Sequence, residues 1–167
     1  MRDVTSGPPN DLETLHRIGC DDFEVGLLPV FRHITLSILE ADPKAWSRAY
    51  DLAVERYGEA IGLPAALGLH KIALCLLNCR EDGPALQDPL CPEAKQFVTD
   101  DEVQVISMVH HMRRDNASAA RSAVAFVTHG RMDPDLIRTA LSFAHRFPAG
   151  VRRLSKSEAR PRLSVVA

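Results

Sequence analysis

The segment Ile61–Cys79 constrains the fold of this chain more than any other stretch. Its nineteen residues, IGLPAALGLHKIALCLLNC, contain only two ionisable side chains besides the cysteines, His70 and Lys71. A helix on the surface of a globular protein shows one apolar stripe and one polar face, whereas a helix that is apolar nearly all round is covered on most sides. We therefore predict that residues 64–80 form the central, buried helix of a helical domain.

The length and composition of the chain favour a single domain built from helices. A chain of 167 residues is long enough for one ordinary domain with its own core. Apolar residues make up 46% and charged residues 25%, which is typical of a folded protein and excludes a disordered one. Only 5% of the residues are aromatic. A core of Ala, Leu and Val suits closely packed helices better than a β-sandwich.

Start signals divide the rest of the chain into further helices. Pro29 fits the first turn of a helix that begins near Leu27 or Leu28. The later starts carry side chains that accept hydrogen bonds from free backbone N–H groups, in two cases with proline at the first helical position. These starts are Asp42–Pro43, Thr99 in a capping box with Glu102, Asp115–Asn116 and Asp133–Pro134. The short connections between the last three helices predict antiparallel neighbours.

These signals together predict an all-α fold. No run of alternating apolar and polar residues is long enough for a strand of ordinary length. We expect a single-domain irregular bundle of about six helices over residues 12–148, packed around the central helix (about 64–80). Residues 1–11 are predicted to form a flexible N-terminal arm, and residues 149–167 a basic, flexible C-terminal tail.

Three cysteines form the best candidate for a metal or redox site. Cys75 and Cys79 are four residues apart, so on a helix both thiols lie on one face. Cys91 follows the next loop and can fold back towards them, whereas His70 lies roughly 140° round the helix axis from Cys75. The alternative is that these thiols are structural, because buried cysteines behave as small apolar residues and burial raises a thiol pKa. The structural interpretation is favoured, and no cofactor is predicted.

The sequence contains no catalytic signature. The adjacent histidines His110 and His111 point about 100° apart on a helix and do not chelate one ion. There is no HExxH motif, no nucleophile elbow and no glycine-rich phosphate loop. We therefore predict that the chain is not an enzyme.

Charge is distributed unevenly along the chain. Residues 1–100 contain nine Lys/Arg and sixteen Asp/Glu, whereas residues 101–167 contain eleven Lys/Arg and six Asp/Glu. The basic third is a candidate surface for nucleic acid or for an acidic partner. The candidate residues on that surface are Arg131, Arg138, His145, Arg146, Arg152 and Arg153. A DNA-binding helix is disfavoured, because the last helix begins with Asp133 and Asp135, where phosphates would lie.

The remaining expectations concern location and function. The N-terminus lacks the apolar region of a secretory signal and the four cysteines do not form a disulfide framework, which favours a cytoplasmic protein. The apolar run at residues 63–69 is too short to span a membrane, so no membrane association is expected. We predict a non-enzymatic adaptor or regulatory subunit that binds a protein partner or forms a homodimer. The alternatives are a nucleic-acid-binding regulator and a thiol or metal sensor. An exposed apolar face on the central helix would favour the protein-binding function over both alternatives.

Overall fold

The computed structural model describes residues 10–150, and helices account for most of them. The seven α-helices of this region are α1 (Glu13–Ile18), α2 (Asp22–Glu40), α3 (Pro43–Tyr57), α4 (Glu59–Cys79), α5 (Asp100–Met112), α6 (Ala117–Val127) and α7 (Pro134–Arg146). Two short strands, β1 (Asn10–Asp11) and β2 (Phe97–Val98), pair in an antiparallel register. The predicted all-α, single-domain fold is confirmed. Most of the predicted arm and tail lies outside the described residues.

Side-chain caps fix the starts of α3, α5, α6 and α7. Both halves of a capping box are present at Thr99 and Glu102, where α5 begins. Asp42 and Asn116 accept backbone hydrogen bonds at the starts of α3 and α6. Asp133 does the same for α7. These starts were predicted from the sequence and are confirmed, because each depends on residues within three positions of one another.

Two of the four predictions that placed a proline at a helix start are wrong, those for Pro29 and Pro64, whereas Pro43 and Pro134 do open their helices. α2 begins at Asp22, where Asp21 and Glu24 form a capping box, and Pro29 lies inside the helix. α4 begins at Glu59 and runs through Pro64. Proline inside a helix removes one backbone hydrogen bond and costs about 3 kcal/mol in isolation. Burial of the turns around each proline outweighs this cost, so tertiary packing overrides the local signal.

α4 is the central helix of the bundle and contacts α2, α3 and α7. Two glycines allow the closest approaches. A Cβ atom at Gly62 would overlap the backbone carbonyl of Ala53 on α3. A Cβ atom at Gly68 would overlap the ring of Phe143 on α7. The glycines in the apolar segment thus allow neighbouring helices to pack tightly against α4.

The observed α4 is longer than the predicted helix. It spans 21 residues, and its length and composition alone match those of a helix that crosses a membrane. The core helix of a soluble protein passes the same test, so this match is weak. Within the bundle, Leu69, Ile72 and Leu76 of α4 are fully buried.

Two buried carboxylates hold the long connection between α4 and α5. Glu102 pairs with Arg32 of α2 at 2.7 Å and accepts the backbone N–H of Gln87 at 3.0 Å. Asp101 pairs with Arg80 at 2.8 Å and accepts the backbone N–H of Ala85 at 2.7 Å. The first turn of α5 therefore organises a connection that has little regular structure of its own.

Candidate functional site

One face of the central helix is not covered by the bundle. Leu63, Leu67 and Leu74 of α4 have relative exposures of 38%, 48% and 39%. Lys71 is also exposed and lies between Leu67 and Leu74 in the sequence. Spacings of three and four residues place these side chains on one side of the helix. The most apolar helix of the chain thus presents apolar side chains to solvent.

This face forms one side of a groove between α3, α4 and α7. The groove has a volume of about 630 Å³. α4 contributes Leu63, Pro64, Leu67, Gly68 and Lys71, and α7 contributes Arg138, Thr139, Ser142, Phe143 and Arg146. Tyr50 of α3 and Phe147 complete the lining. The volume lies within the range of ligand-binding clefts.

The groove combines an apolar lining with positive charge. Its lining contains Lys71, Arg138 and Arg146, and the described residues that line it include no Asp or Glu. Arg138 forms an exposed ion pair with Asp135 at 3.0 Å. An exposed pair of this kind contributes little energy and exchanges readily for another carboxylate. The groove is therefore suited to a ligand that is apolar and acidic.

Aromatic residues lie on two sides of the groove. On the α3 side, the rings of Trp46 and Tyr50 lie 4.4 Å apart, and Trp46 is 45% exposed. On the α7 side, the rings of Phe143 and Phe147 lie 4.9 Å apart. Arg113 donates a hydrogen bond of 2.5 Å to the carbonyl of Phe147 and so fixes the chain where α7 ends.

The structure divides the predicted basic surface. Arg138 and Arg146 line the groove, and His145 is exposed on α7. Arg131 instead donates a hydrogen bond of 3.0 Å to the carbonyl of Cys79, where it caps the end of α4. Arg152 and Arg153 lie outside the described residues. Two of the six predicted residues therefore belong to the candidate site.

The predicted cysteine trio does not form a group of ligand atoms within residues 10–150. Cys75 lies 3.6 Å from the hydroxyl of Thr139, and the thiol of Cys91 donates to Glu93 at 3.1 Å. Cys79 is buried and donates to the carbonyl of Leu76, and burial raises the pKa of its thiol. All four cysteines are free thiols. The three thiols of the trio therefore contact three different partners, and Cys75 and Cys91 are only partly buried.

His70 lies on α4 and is half-buried. Besides the cysteines, it is the side chain of the apolar segment that can bind a metal. Its Nδ1 atom is buried and has no hydrogen-bond partner among the described residues. Burial lowers the pKa of His70 below its ordinary value. The side chain is therefore held towards its neutral form.

A different polar cluster lies at the start of α2 and was not predicted. The ligand atoms of Cys20, Glu24 and His110 all lie within 4.8 Å of one another, and all three residues are buried. Glu24 is 2.9 Å from Nδ1 of His110 and also pairs with Arg113 and Arg114. The local signals in the sequence are the Asp21–Glu24 capping box and, separately, the adjacent arginines Arg113 and Arg114, and neither shows that the two meet.

The electrostatics of this cluster fit an ion-pair network better than a metal site. Burial raises the pKa of Cys20 to about 12, reinforced by the charge of Glu24, so its thiolate is disfavoured. Burial alone would raise the pKa of Glu24, but hydrogen bonds from Arg114 and His110 hold it below its ordinary value. Both carboxylate oxygens of Glu24 already accept hydrogen bonds. A metal ion bound by Glu24 would have to displace some of these hydrogen bonds.

A second, smaller cleft lies between α6 and α7. It has a volume of about 350 Å³ and is lined mainly by apolar side chains, including Met112, Val124 and Leu141. Its two charged lining residues, Asp115 and Arg121, have opposite signs. The cleft therefore lacks the net charge that distinguishes the groove beside α4.

Comparisons with known proteins provide no functional assignment: no protein-family model matches the sequence, and no curated protein or solved structure matches it. The function proposed below is based on the geometry and charge of the groove.

Proposed function

We propose that this chain is a non-enzymatic docking protein, an adaptor or regulatory subunit, that binds a helical segment of a partner protein in the groove between α3, α4 and α7. The observation that supports the proposal is the exposed apolar face of the central helix at Leu63, Leu67 and Leu74. Apolar surface gains about 25 cal/mol per Å² when it is removed from water. A partner that covers these leucines gains this energy, because the bundle leaves them uncovered.

The shape of the groove favours a helix as the bound segment. Leu63 and Leu67 lie one turn apart along α4. The apolar side chains of an amphipathic partner helix have the same spacing. A peptide that binds by adding a strand would instead need a free sheet edge, with which it forms backbone hydrogen bonds. Among residues 10–150 the strands β1 and β2 are only two residues long. Helix-in-groove binding is therefore favoured over strand addition.

Charge favours a separate protein over a second copy of this chain. In a two-fold symmetric dimer the same patch of both copies meets. A dimer through this groove would bring the cations Lys71, Arg138 and Arg146 of both copies together, and juxtaposed like charges are unfavourable. The segment 151–167 of the same chain is also a poor match, since it contains five Lys/Arg and one Asp/Glu.

Binding of designed peptides tests the proposal directly. A panel of helical peptides of about 18 residues, roughly five turns, shares one leucine face and differs only in its polar face, which is acidic, neutral or basic. The peptides lack tryptophan, so the fluorescence of Trp46, the single tryptophan of the chain, reports binding at the edge of the groove. Calorimetry gives the stoichiometry.

The matched variants are Leu67→Asp and Leu141→Asp. Both leucines are 48% exposed, but Leu141 lies in the second cleft. We expect at least one peptide to bind one to one, Leu67→Asp to abolish that binding and Leu141→Asp to leave it unchanged. The proposal is wrong if no peptide binds, or if the two variants behave alike.

A further inference from the structure

We infer that the segment bound in the groove is an acidic amphipathic helix whose apolar face is made of leucine-type side chains. Its carboxylates lie towards the two ends of that face, about two turns apart, and meet Arg138 and Arg146. This inference rests on the proposed function and adds the chemistry of the partner. It follows from the positions of the cations relative to the exposed leucines.

The helices α4 and α7 form two walls of the groove. Their relative direction gives the order of the leucines and cations along it. Gly68 of α4 lies against Phe143 of α7, and Cys75 of α4 lies against Thr139. The numbering rises along α4 where it falls along α7, so the two helices run in opposite directions there. Arg146 is therefore nearer the Leu63 end of the groove.

Arg138 is correspondingly nearer the other end, which is also the Lys71 end. Eight residues separate Arg138 from Arg146, and a rise of 1.5 Å per residue places them about 12 Å apart along α7. Leu67 of α4 lies between the two ends. A partner helix that fills the groove thus places apolar side chains in the middle and carboxylates towards both ends.

The cations of the groove have few partners within the chain. Within residues 10–150, the side chains of Lys71 and Arg146 form no hydrogen bond or ion pair, and the side chain of Arg138 has only its exposed contact with Asp135. Positive charge that is not neutralised locally attracts acidic partners and speeds their association. These cations lie on the walls of a concave, apolar groove. A protein that binds a flat anionic surface would instead carry its cations on a convex patch.

The experiment compares peptides that share composition but differ in the placement of charge. One acidic peptide carries glutamates two turns apart, towards the two ends of its leucine face. A second acidic peptide carries the same glutamates on the face of the helix opposite the leucines. A neutral peptide has glutamine at the same positions, and a basic peptide has lysine there. We expect the first peptide to bind about tenfold more tightly than its neutral counterpart, with the advantage reduced by salt.

Charge reversal provides the matched test in the protein. The double variant Arg138→Glu, Arg146→Glu should lose the preference for the acidic peptide and favour the basic one. Arg121→Glu, which reverses an exposed cation in the second cleft, should leave the preference unchanged. All of these positions are exposed, so circular dichroism is expected to show an unchanged helical fold.

The outcomes separate the inference from the proposed function. If the acidic and neutral peptides bind equally and Leu67→Asp abolishes both, the inference is wrong and the proposed function stands. If no peptide binds, both are wrong. Binding of phosphatidylserine vesicles or duplex DNA that needs Arg146, but is unaffected by Leu67→Asp, also overturns the inference, since the positive charge would then serve an anionic surface.

Discussion

The groove beside α4 and the cluster around Glu24 reverse the usual distribution of polar and apolar residues. In the groove, Leu67 of the most apolar helix faces solvent. In the cluster, Glu24 is fully buried and contacts Arg113, Arg114 and His110. Buried charges are retained where partners satisfy them, and exposed apolar patches are retained where something binds them. The difference indicates that the cluster maintains the fold and that the groove is available for binding.

Arg113 connects the two regions. It pairs with Glu24 in the cluster and donates to the carbonyl of Phe147, which lines the groove. Its guanidinium also lies 4.7 Å from the ring centroid of Phe23. The buried network therefore holds one end of the groove in place, and damage to it is expected to affect both regions.

The largest effect is expected from removing the central carboxylate of the cluster. Glu24→Ala removes the buried carboxylate that His110 and Arg113 share, although Arg113 keeps its contacts with Asp21 and the carbonyl of Phe147. Breaking a buried ion pair in this way costs about 3–5 kcal/mol. Urea unfolding followed by circular dichroism measures the loss. Leu67→Ala in the groove is the control and should cost far less. Equal losses from the two variants would show that the cluster does not hold the fold.

The same carboxylate predicts a dependence of stability on pH. The pKa of Glu24 in the folded protein lies below its ordinary value of 4.5. The unfolded chain therefore takes up a proton first as the pH falls below that value. The stabilising contribution is complete above the unfolded pKa and is lost as the pH falls through the folded pKa.

Unfolding at a series of pH values measures this contribution. We expect the stability of the wild type to fall more steeply with acid than that of Glu24→Gln, which cannot titrate at this position. Parallel profiles for the two proteins would contradict the assignment of this dependence to Glu24.

An intermediate effect is expected at the contact between the walls of the groove. Gly68→Ala places a methyl group against the ring of Phe143, and overpacking of this kind costs about 1–3 kcal/mol. It also separates α4 from α7, so peptide binding should weaken. The double variant Gly68→Ala, Phe143→Leu makes room for the methyl group and should recover part of both losses. If the double variant is no better than Gly68→Ala alone, the close approach is not what the glycine provides.

The sequence predicted the features that depend on neighbouring residues. The start of α5 was recognised because Thr99 and Glu102 are three residues apart and satisfy each other's backbone groups. The central position of α4 was recognised because nearly every side chain in it is apolar. Pro29 and Pro64 gave wrong helix starts because burial of distant side chains decided whether each helix continued.

The features that were missed depend on residues far apart in the chain. His110 and Glu24 are separated by 86 positions. Nothing local to either residue shows that α5 ends beside the start of α2. Likewise, the leucines of α4 do not show by themselves which face α7 leaves uncovered. Arg138 and Arg146 were identified as a basic surface, but their place beside an apolar face required the packing of α7 on α4.

The smallest effect on stability is expected in the groove, where the effect on binding should be greatest. Leu67→Gln keeps the size and helix propensity of the side chain and removes its apolar character on an exposed face. Substitutions at such positions usually change stability by no more than about 0.5 kcal/mol. Peptide binding should nevertheless be lost, because the leucine lies in the middle of the proposed contact.

Measuring the stability and peptide affinity of Leu67→Gln beside those of Glu24→Ala separates the roles of the two regions. If Leu67→Gln unfolds the protein as Glu24→Ala does, then Leu67 belongs to the core. If both measurements stay at wild-type values, the bound segment lies elsewhere on the surface. Lost binding with unchanged stability is the one combination that a docking groove predicts and a structural face does not.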